Sequence, residues 1–284
     1  MAKVSLAELK QFKHRINPEE RQGAYGYYFM RPLSLYLTYL ALRLGLTANQ
    51  VTVLQTLAGL AGAALFAFPS NTMAVAGILL MQFGYMLDNV DGEVARFRRQ
   101  VSITGKFLDT IGHELVVPSM YFGLGVGTYF RLGHFESVVF GFLAGLFSLR
   151  LDIATMYHEA AQFLETKHDQ SYNYYANLKF GEATKLYRQK NEASASRMIY
   201  ALFAYPAIMN IITVLLLVDM FIPSPRLGGY EISLVYIFLA LYGGLLPLRR
   251  VYTIWKLAKN REVERKYLSL VDLLKSQMEQ EQRG

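Results

Sequence analysis

Six apolar stretches punctuate the chain, at Val51–Phe68, Met73–Leu87, Phe107–Phe130, Phe135–Leu149, Ile199–Ile222 and Ile232–Leu248. A helix needs about 20 apolar residues to cross the hydrocarbon of a bilayer. The first run is about that long, whereas the second and fourth reach it only by continuing into semi-polar Asp88–Arg96 and Arg150–Tyr157. The pattern predicts an all-α, polytopic membrane protein with six transmembrane helices. Gly59 and Ala63, Gly123 and Gly127, and Gly141 and Gly145 are small residues at four-residue spacing, which suits close helix packing in lipid. Arg31–Leu44 is apolar throughout, with an arginine near each end. It reads as an N-terminal amphipathic helix lying at the interface and stopped by Gly45. Thr47 or Asn49 is placed to cap the first crossing helix.

Composition fits this reading. Hydrophobic residues make up 53% of the 284 residues, and charged residues only 18%, against about 25% in a soluble globule. There are no cysteines, which excludes disulfides, thiolate metal sites and a thiol nucleophile. The net charge of +7 would suit nucleic acid only if the basic residues shared an exposed surface. They sort by loop instead. With the amino terminus inside, the inner segments carry 27 of the 29 lysines and arginines, leaving only Arg131 and Arg226 outside. This is the positive-inside bias, and it accounts for the charge with no nucleic-acid partner. Both termini are therefore expected in the cytoplasm, and the first apolar run starts too late to read as a cleavable leader.

The expected organisation is a cytoplasmic segment at 1–50 that includes the interfacial helix, a six-helix transmembrane domain at 51–252, and a cytoplasmic tail at 253–284. Within the transmembrane domain, 158–197 reads as a polar connector resting on the headgroups. The tail alternates charge signs as an exposed helix does. The outer turns are short, so the chemistry is expected on the cytoplasmic side.

One polar stretch is out of place beside a membrane: Asp88-Asn89-Val90-Asp91-Gly92-Glu93-Val94-Ala95-Arg96. Asp88 and Asp91 are three apart on one helix and share a face, which Gly92 and Ala95 leave without bulk. The next helix carries Gly105, Asp109 and His113 at four-residue spacing, again one stripe. If the short Arg98–Ser102 connection closes a hairpin, the stripes converge at the cytoplasmic rim. Carboxylates at membrane depth are costly without a partner. Oxygen-ligated divalent cations, magnesium above all with a substrate phosphate, are the natural compensation. A charge-paired structural site and a proton path are the other readings of an acidic pair on a membrane helix. A small-molecule transporter is the competing class, although the acidic residues gather at one side and do not line a path through the chain.

These residues resemble the signature of the CDP-alcohol phosphotransferase family. Its pattern runs aspartate, two residues, Asp-Gly, two residues, Ala-Arg, about eight residues, glycine, three residues, aspartate, three residues, aspartate. It falls here on Asp88, Asp91, Gly92, Ala95, Arg96, Gly105, Asp109 and His113, and seven of the eight fixed positions agree. Leu46–Thr52 is similar to the family's segment before the first crossing helix, with Ala48 where proline is common. The resemblance implies a homodimer in which the second and third crossing helices flank the active site. It implies transfer of a substituted phosphoryl group from a CDP-linked lipid or alcohol to a hydroxyl acceptor, with release of CMP. It assigns Asp88, Asp91, Asp109 and His113 to a site for two magnesium or manganese ions, and Asp91, Asp109 and His113 to catalysis. Gly92, Ala95, Arg96 and Gly105 fall at positions near the nucleotide and its phosphates.

His113 stands where the family has an aspartate that serves the metal site and takes the acceptor's proton. A neutral imidazole can accept that proton or ligate a metal through nitrogen. The chain is then either a working enzyme with a histidine at this position, or a divergent member with altered or lost catalysis that acts as a binding protein. Arg150, after the fourth crossing helix, is a candidate anion anchor for the acceptor, or a snorkelling charge that sets helix depth. Arg197, Arg249 and Arg250 carry the same two readings. The location that follows is integral to a prokaryotic inner or plasma membrane, with the active site cytoplasmic.

Overall fold

The computed structural model describes residues 29–149, 205–222 and 224–260, together with Ser5, Leu6, Leu9, Lys10 and Phe203. Arg150, Arg197, the connector at 158–197 and the tail beyond Asn260 lie outside the described residues. The elements are α1 (Arg31–Arg43), α2 (Ala48–Phe66), α3 (Asn71–Phe97), α4 (Ile103–Leu132), α5 (Glu136–Ser148), α6 (Tyr205–Phe221), β1 (Arg226–Leu227), β2 (Tyr230–Glu231) and α7 (Leu234–Lys259). Apart from one two-stranded ladder, the described fold is all helix.

Local chemistry sets the boundaries. The Thr47 hydroxyl accepts from the Gln50 N–H while the Gln50 side chain accepts from the Thr47 N–H, a reciprocal cap that starts α2. At the end of α1, Gly45 takes φ 76°, and the Gly45 and Leu46 N–H groups donate back to Leu42 and Ala41. That closure needs a left-handed residue, which glycine supplies without steric penalty. The same closure ends α3, with Arg99 at φ 54° in the glycine position and Gln100 donating to Ala95. A non-glycine residue there costs about 1–2 kcal/mol. The Ser102 hydroxyl then caps α4 by accepting from the Gly105 N–H at 3.0 Å.

One of the two expected helix extensions falls within the described residues. The Asp88–Arg96 extension of α3 is helical, and its 27 residues give a rod about 40 Å long, more than the about 30 Å of hydrocarbon. The counterpart extension of α5, Arg150–Tyr157, lies outside the described residues. That helix stops at Ser148, and Leu149 has left helical space at φ −51°, ψ 129°. The Ser148 hydroxyl donates back to the Gly145 carbonyl at 2.7 Å, the local bond with which serine competes against helix continuation. Of the described helices, Asn71–Phe97 and Leu234–Lys256 are long and apolar enough on their own to cross a membrane. Glu136–Ser148 and Tyr205–Phe221 are apolar but shorter.

The chain divides into two compact units, one holding residues up to Leu149 with Tyr205–Leu246, the other holding the remainder. In the first, α2 packs on α3 and α4, α4 on α5, and α1 and α6 on α3. Small residues make these approaches possible. A Cβ at Gly62 would come within 2.9 Å of the Gly77 carbonyl oxygen, and one at Gly141 within 2.6 Å of that of Tyr121. Gly123 and Gly127 lie directly against the backbone of Ala63 and Phe66, so the small-residue pairs read from the sequence do mark helix contacts. Polar residues inside the apolar stretches find partners. The Gln82 amide on α3 donates to Asn210 and Thr213 on α6, each at 3.2 Å. Asp219 accepts from the Leu234 and Val235 N–H groups at 2.8 and 2.9 Å and so caps α7 across the loop. That loop contains the small ladder, turned by Gly228 and Gly229, both at positive φ as a two-residue hairpin requires. In the second unit, the Arg249 guanidinium lies 4.6 Å from the centre of the Phe203 ring, a cation–π contact.

Candidate active site

The last turns of α3 and the first turns of α4, joined by the short Arg98–Ser102 link, carry the polar stripes. Asp88 Oδ1 lies 3.1 Å from His113 Nε2, and Asp109 Oδ1 lies 3.3 Å from the same nitrogen. One ligand atom from each of Asp88, Asp109 and His113 falls within 4.8 Å of the others. The two stripes therefore meet. The second oxygen of Asp109 pairs with the exposed Lys106 ammonium at 2.7 Å, one turn earlier on α4. The His113 ring packs edge-on against Tyr205 of α6, 5.4 Å between centres, which fixes the face it turns to the aspartates.

Asp91 is expected in the same ligand set but is not part of that close group. It is 9% exposed, and its Oδ2 accepts from the Thr52 hydroxyl of α2 at 2.6 Å. Asp88 Oδ1 likewise accepts from the Gln55 amide of α2 at 3.0 Å. Thus α2, α3 and α4 all contribute to the cluster.

At Gly92 the space a side chain would fill is taken. A Cβ there would come within 3.0 Å of both terminal guanidinium nitrogens of Arg96, so Arg96 folds back over Gly92 one turn away. The arginine itself is exposed and Ala95 half-buried. A Cβ at Gly105 would meet the side-chain oxygens of Asn49 and Ser102 at 3.3 Å, which brings the segment before α2 beside the start of α4. Arg150 lies outside the described residues.

The structure adds residues that the sequence reading did not single out: Gln55, Tyr205 and, within the polar stretch itself, Glu93. Thr52 was read only as part of a segment. Glu93 is fully buried, and so are its partners on α1. Ser34 donates to one carboxyl oxygen at 2.7 Å and Thr38 to the other at 2.5 Å. A signal was present, because Ser34 and Thr38, like Thr52 and Gln55, are polar residues about one turn apart in largely apolar helices. Nothing local marks Tyr205.

The donor set suits a hard or borderline divalent cation: carboxylate oxygens and an imidazole nitrogen from neighbouring helices, close enough to share one ion. The chain belongs to the CDP-alcohol phosphatidyltransferase family, which matches residues 45–222. Archaetidylinositol phosphate synthase of Pyrococcus horikoshii is 38% identical over 88 residues, covering 31% of this chain and 45% of that protein, so the match spans less than half the relative's length. The phosphatidylinositol phosphate synthase of Mycobacterium tuberculosis is similar in structure. The form with CDP-DAG bound has a TM-score of 0.49 at 19% identity, over 79% of this chain and 94% of that one. The form in complex with manganese and citrate has a TM-score of 0.46 at 20% identity, over 78% and 88%.

Proposed function

We propose that this protein transfers a substituted phosphoryl group from a CDP-linked lipid to a hydroxyl acceptor and releases CMP. The observation that carries the reading is the meeting of Asp88, Asp109 and His113 within a chain of this family. In the reaction, the acceptor oxygen bonds to the phosphorus bearing the lipid alcohol, and the bond from that phosphorus to the CMP oxygen breaks. The acceptor's proton passes to His113 Nε2. Asp88, Asp91 and Asp109 would hold one or two magnesium or manganese ions, leaving the His113 nitrogen free to take that proton. Such ions supply charge neutralisation of the diphosphate and of the departing CMP. Arg96, hinged over Gly92, engages a phosphate of the donor. Without a thiol, direct displacement is the economical route.

The surrounding proposal has α2–α7 cross a prokaryotic inner or plasma membrane six times, with α1 in the interface and both termini and the active site cytoplasmic. Its support is the sorting of 27 of 29 basic residues to one side. The exposed face of α1 adds to it. Phe29, Leu33, Tyr36, Leu40 and Leu44 are all at least half exposed, an apolar stripe suited to lipid. The active form is a homodimer. The acceptor is a phosphorylated polyol, the class suggested by the inositol phosphate in the relative's name.

The test is purified protein incubated with CDP-diacylglycerol and a panel of hydroxyl acceptors, with products read by mass spectrometry. Metal-dependent CMP and one phosphodiester are expected, and Asp91→Asn lowers product by at least about 100-fold, the scale on which a charge-stabilising group acts. Product persisting at the wild-type rate in Asp91→Asn would overturn the catalytic assignment. No turnover with any donor and acceptor, although metal still binds, would favour a divergent binding protein.

A further inference from the structure

Gln55 is an odd residue for its place. It sits within α2 and is 6% exposed. Its Nε2 donates to Asp88 Oδ1 at 3.0 Å, the same oxygen that His113 Nε2 approaches at 3.1 Å. Its Oε1 is buried and has no hydrogen-bond partner among the described residues. Buried polar atoms are rarely left this way. Turning the amide over would not improve matters, because it would face an amide oxygen toward the Asp88 carboxylate and forfeit the one bond the side chain makes. The orientation is therefore dictated by Asp88, and the amide tolerates an orphaned oxygen to keep its N–H on that carboxylate. A leucine or methionine would fill the same space without that penalty. About one turn earlier on α2, Thr52 makes the matching contact to Asp91 at 2.6 Å. Groups that hydrogen-bond a ligating carboxylate fix which of its oxygens faces the cation.

We propose that Gln55 is a positioning residue for the divalent-cation site, holding Asp88 in the orientation in which it binds the ion. The proposal rests on the metal-site reading above. A helix-to-helix bond with no part in ion binding is the alternative, and the two differ in what they predict. A purely structural Gln55 would, on replacement, change thermal stability and leave metal affinity alone.

The experiment is titration of the purified, detergent-solubilised full chain with Mn2+, followed by the electron paramagnetic resonance signal of the free ion. Wild type, Gln55→Met, Gln55→Leu and Asp88→Asn are compared, with the unfolding midpoint of each recorded in chelator. Gln55→Met and Gln55→Leu are expected to weaken Mn2+ binding by about 10- to 100-fold, the effect of removing such a partner. Their midpoints in chelator stay at or above that of wild type, because the orphaned oxygen is gone. Wild-type affinity in both Gln55 variants, with binding lost in Asp88→Asn, would overturn the role of Gln55 and leave the metal site standing. A wild-type protein that binds no Mn2+ would overturn both.

Discussion

His113 is the residue on which the chemistry turns. Its Nε2 is shared between one aspartate from the neighbouring helix and one from a turn earlier on its own, at 3.1 and 3.3 Å, and its ring is braced by Tyr205. If this nitrogen takes the acceptor's proton, His113→Ala lowers kcat by about 10²- to 10⁴-fold, the range for loss of a general base. His113→Asp, which restores the family's usual residue, recovers part of that loss. Steady-state CMP release measures both, and a fully active His113→Ala would remove histidine from the mechanism. Much of this cluster could be read from spacing. Three- and four-residue steps on a helix bring Asp88 beside Asp91 and Asp109 beside His113, and a short link brings the two stripes together. Gln55 and Tyr205 could not be found that way. They reach the site from positions 33 and 92 residues distant in the chain, across contacts that only the packed bundle creates. Spacing also gave Asp91 the same surroundings as Asp88, whereas Asp91 bonds the Thr52 hydroxyl and is not part of the close group.

Among the elements, α1 does more than lie on a surface. Its exposed side is apolar, while Arg31, Ser34 and Thr38 are among the residues it buries, the reverse of a helix on a soluble protein. The clasp of Ser34 and Thr38 on Glu93 ties α1 to the turn of α3 that follows Asp91 and Gly92. Leu9, Leu35, Ala41 and Leu42 complete the contact with Val90 and Val94. Ser34→Ala with Thr38→Ala leaves the buried carboxyl without two of its donors. That should cost about 2 kcal/mol or more, seen as a lower unfolding midpoint in detergent. A midpoint equal to wild type would mean that the clasp contributes nothing. Gly62→Leu probes the α2–α3 seam, where even a Cβ comes within 2.9 Å of the Gly77 carbonyl oxygen. It is expected to abolish folded protein in size-exclusion chromatography, and a well-folded variant would contradict the packing. The start of α2 was legible because Thr47 stood as one of two candidate caps, and the Arg98–Ser102 link marked the start of α4. The end of α5 was not, since hydropathy continues past Ser148 while the backbone does not.

On the scale of the whole molecule, the account needs the hairpin rim and the β1–β2 loop on opposite sides of a membrane. The absence of native cysteine makes this simple to check in sealed vesicles. Cysteine placed at exposed Gln100 is expected to react with an impermeant maleimide only from the cytoplasmic side, and cysteine at exposed Arg226 only from the other. Labelling of both from one side would refute the orientation. Six apolar runs and the distribution of basic residues were plain in the sequence, because lipid imposes length and the positive-inside bias imposes sidedness. How three helices share one polar rim was not, because it depends on glycine contacts and buried hydroxyls with no periodic signature. The central claim is that carboxylates from α3 and α4 hold a divalent cation, and the most direct measurement is anomalous X-ray scattering from a crystal grown with Mn2+. The account predicts a manganese peak about 2 Å from carboxylate oxygens of both Asp88 and Asp109. No peak at a Mn2+ concentration that supports turnover, or a peak bound by other residues, would contradict it.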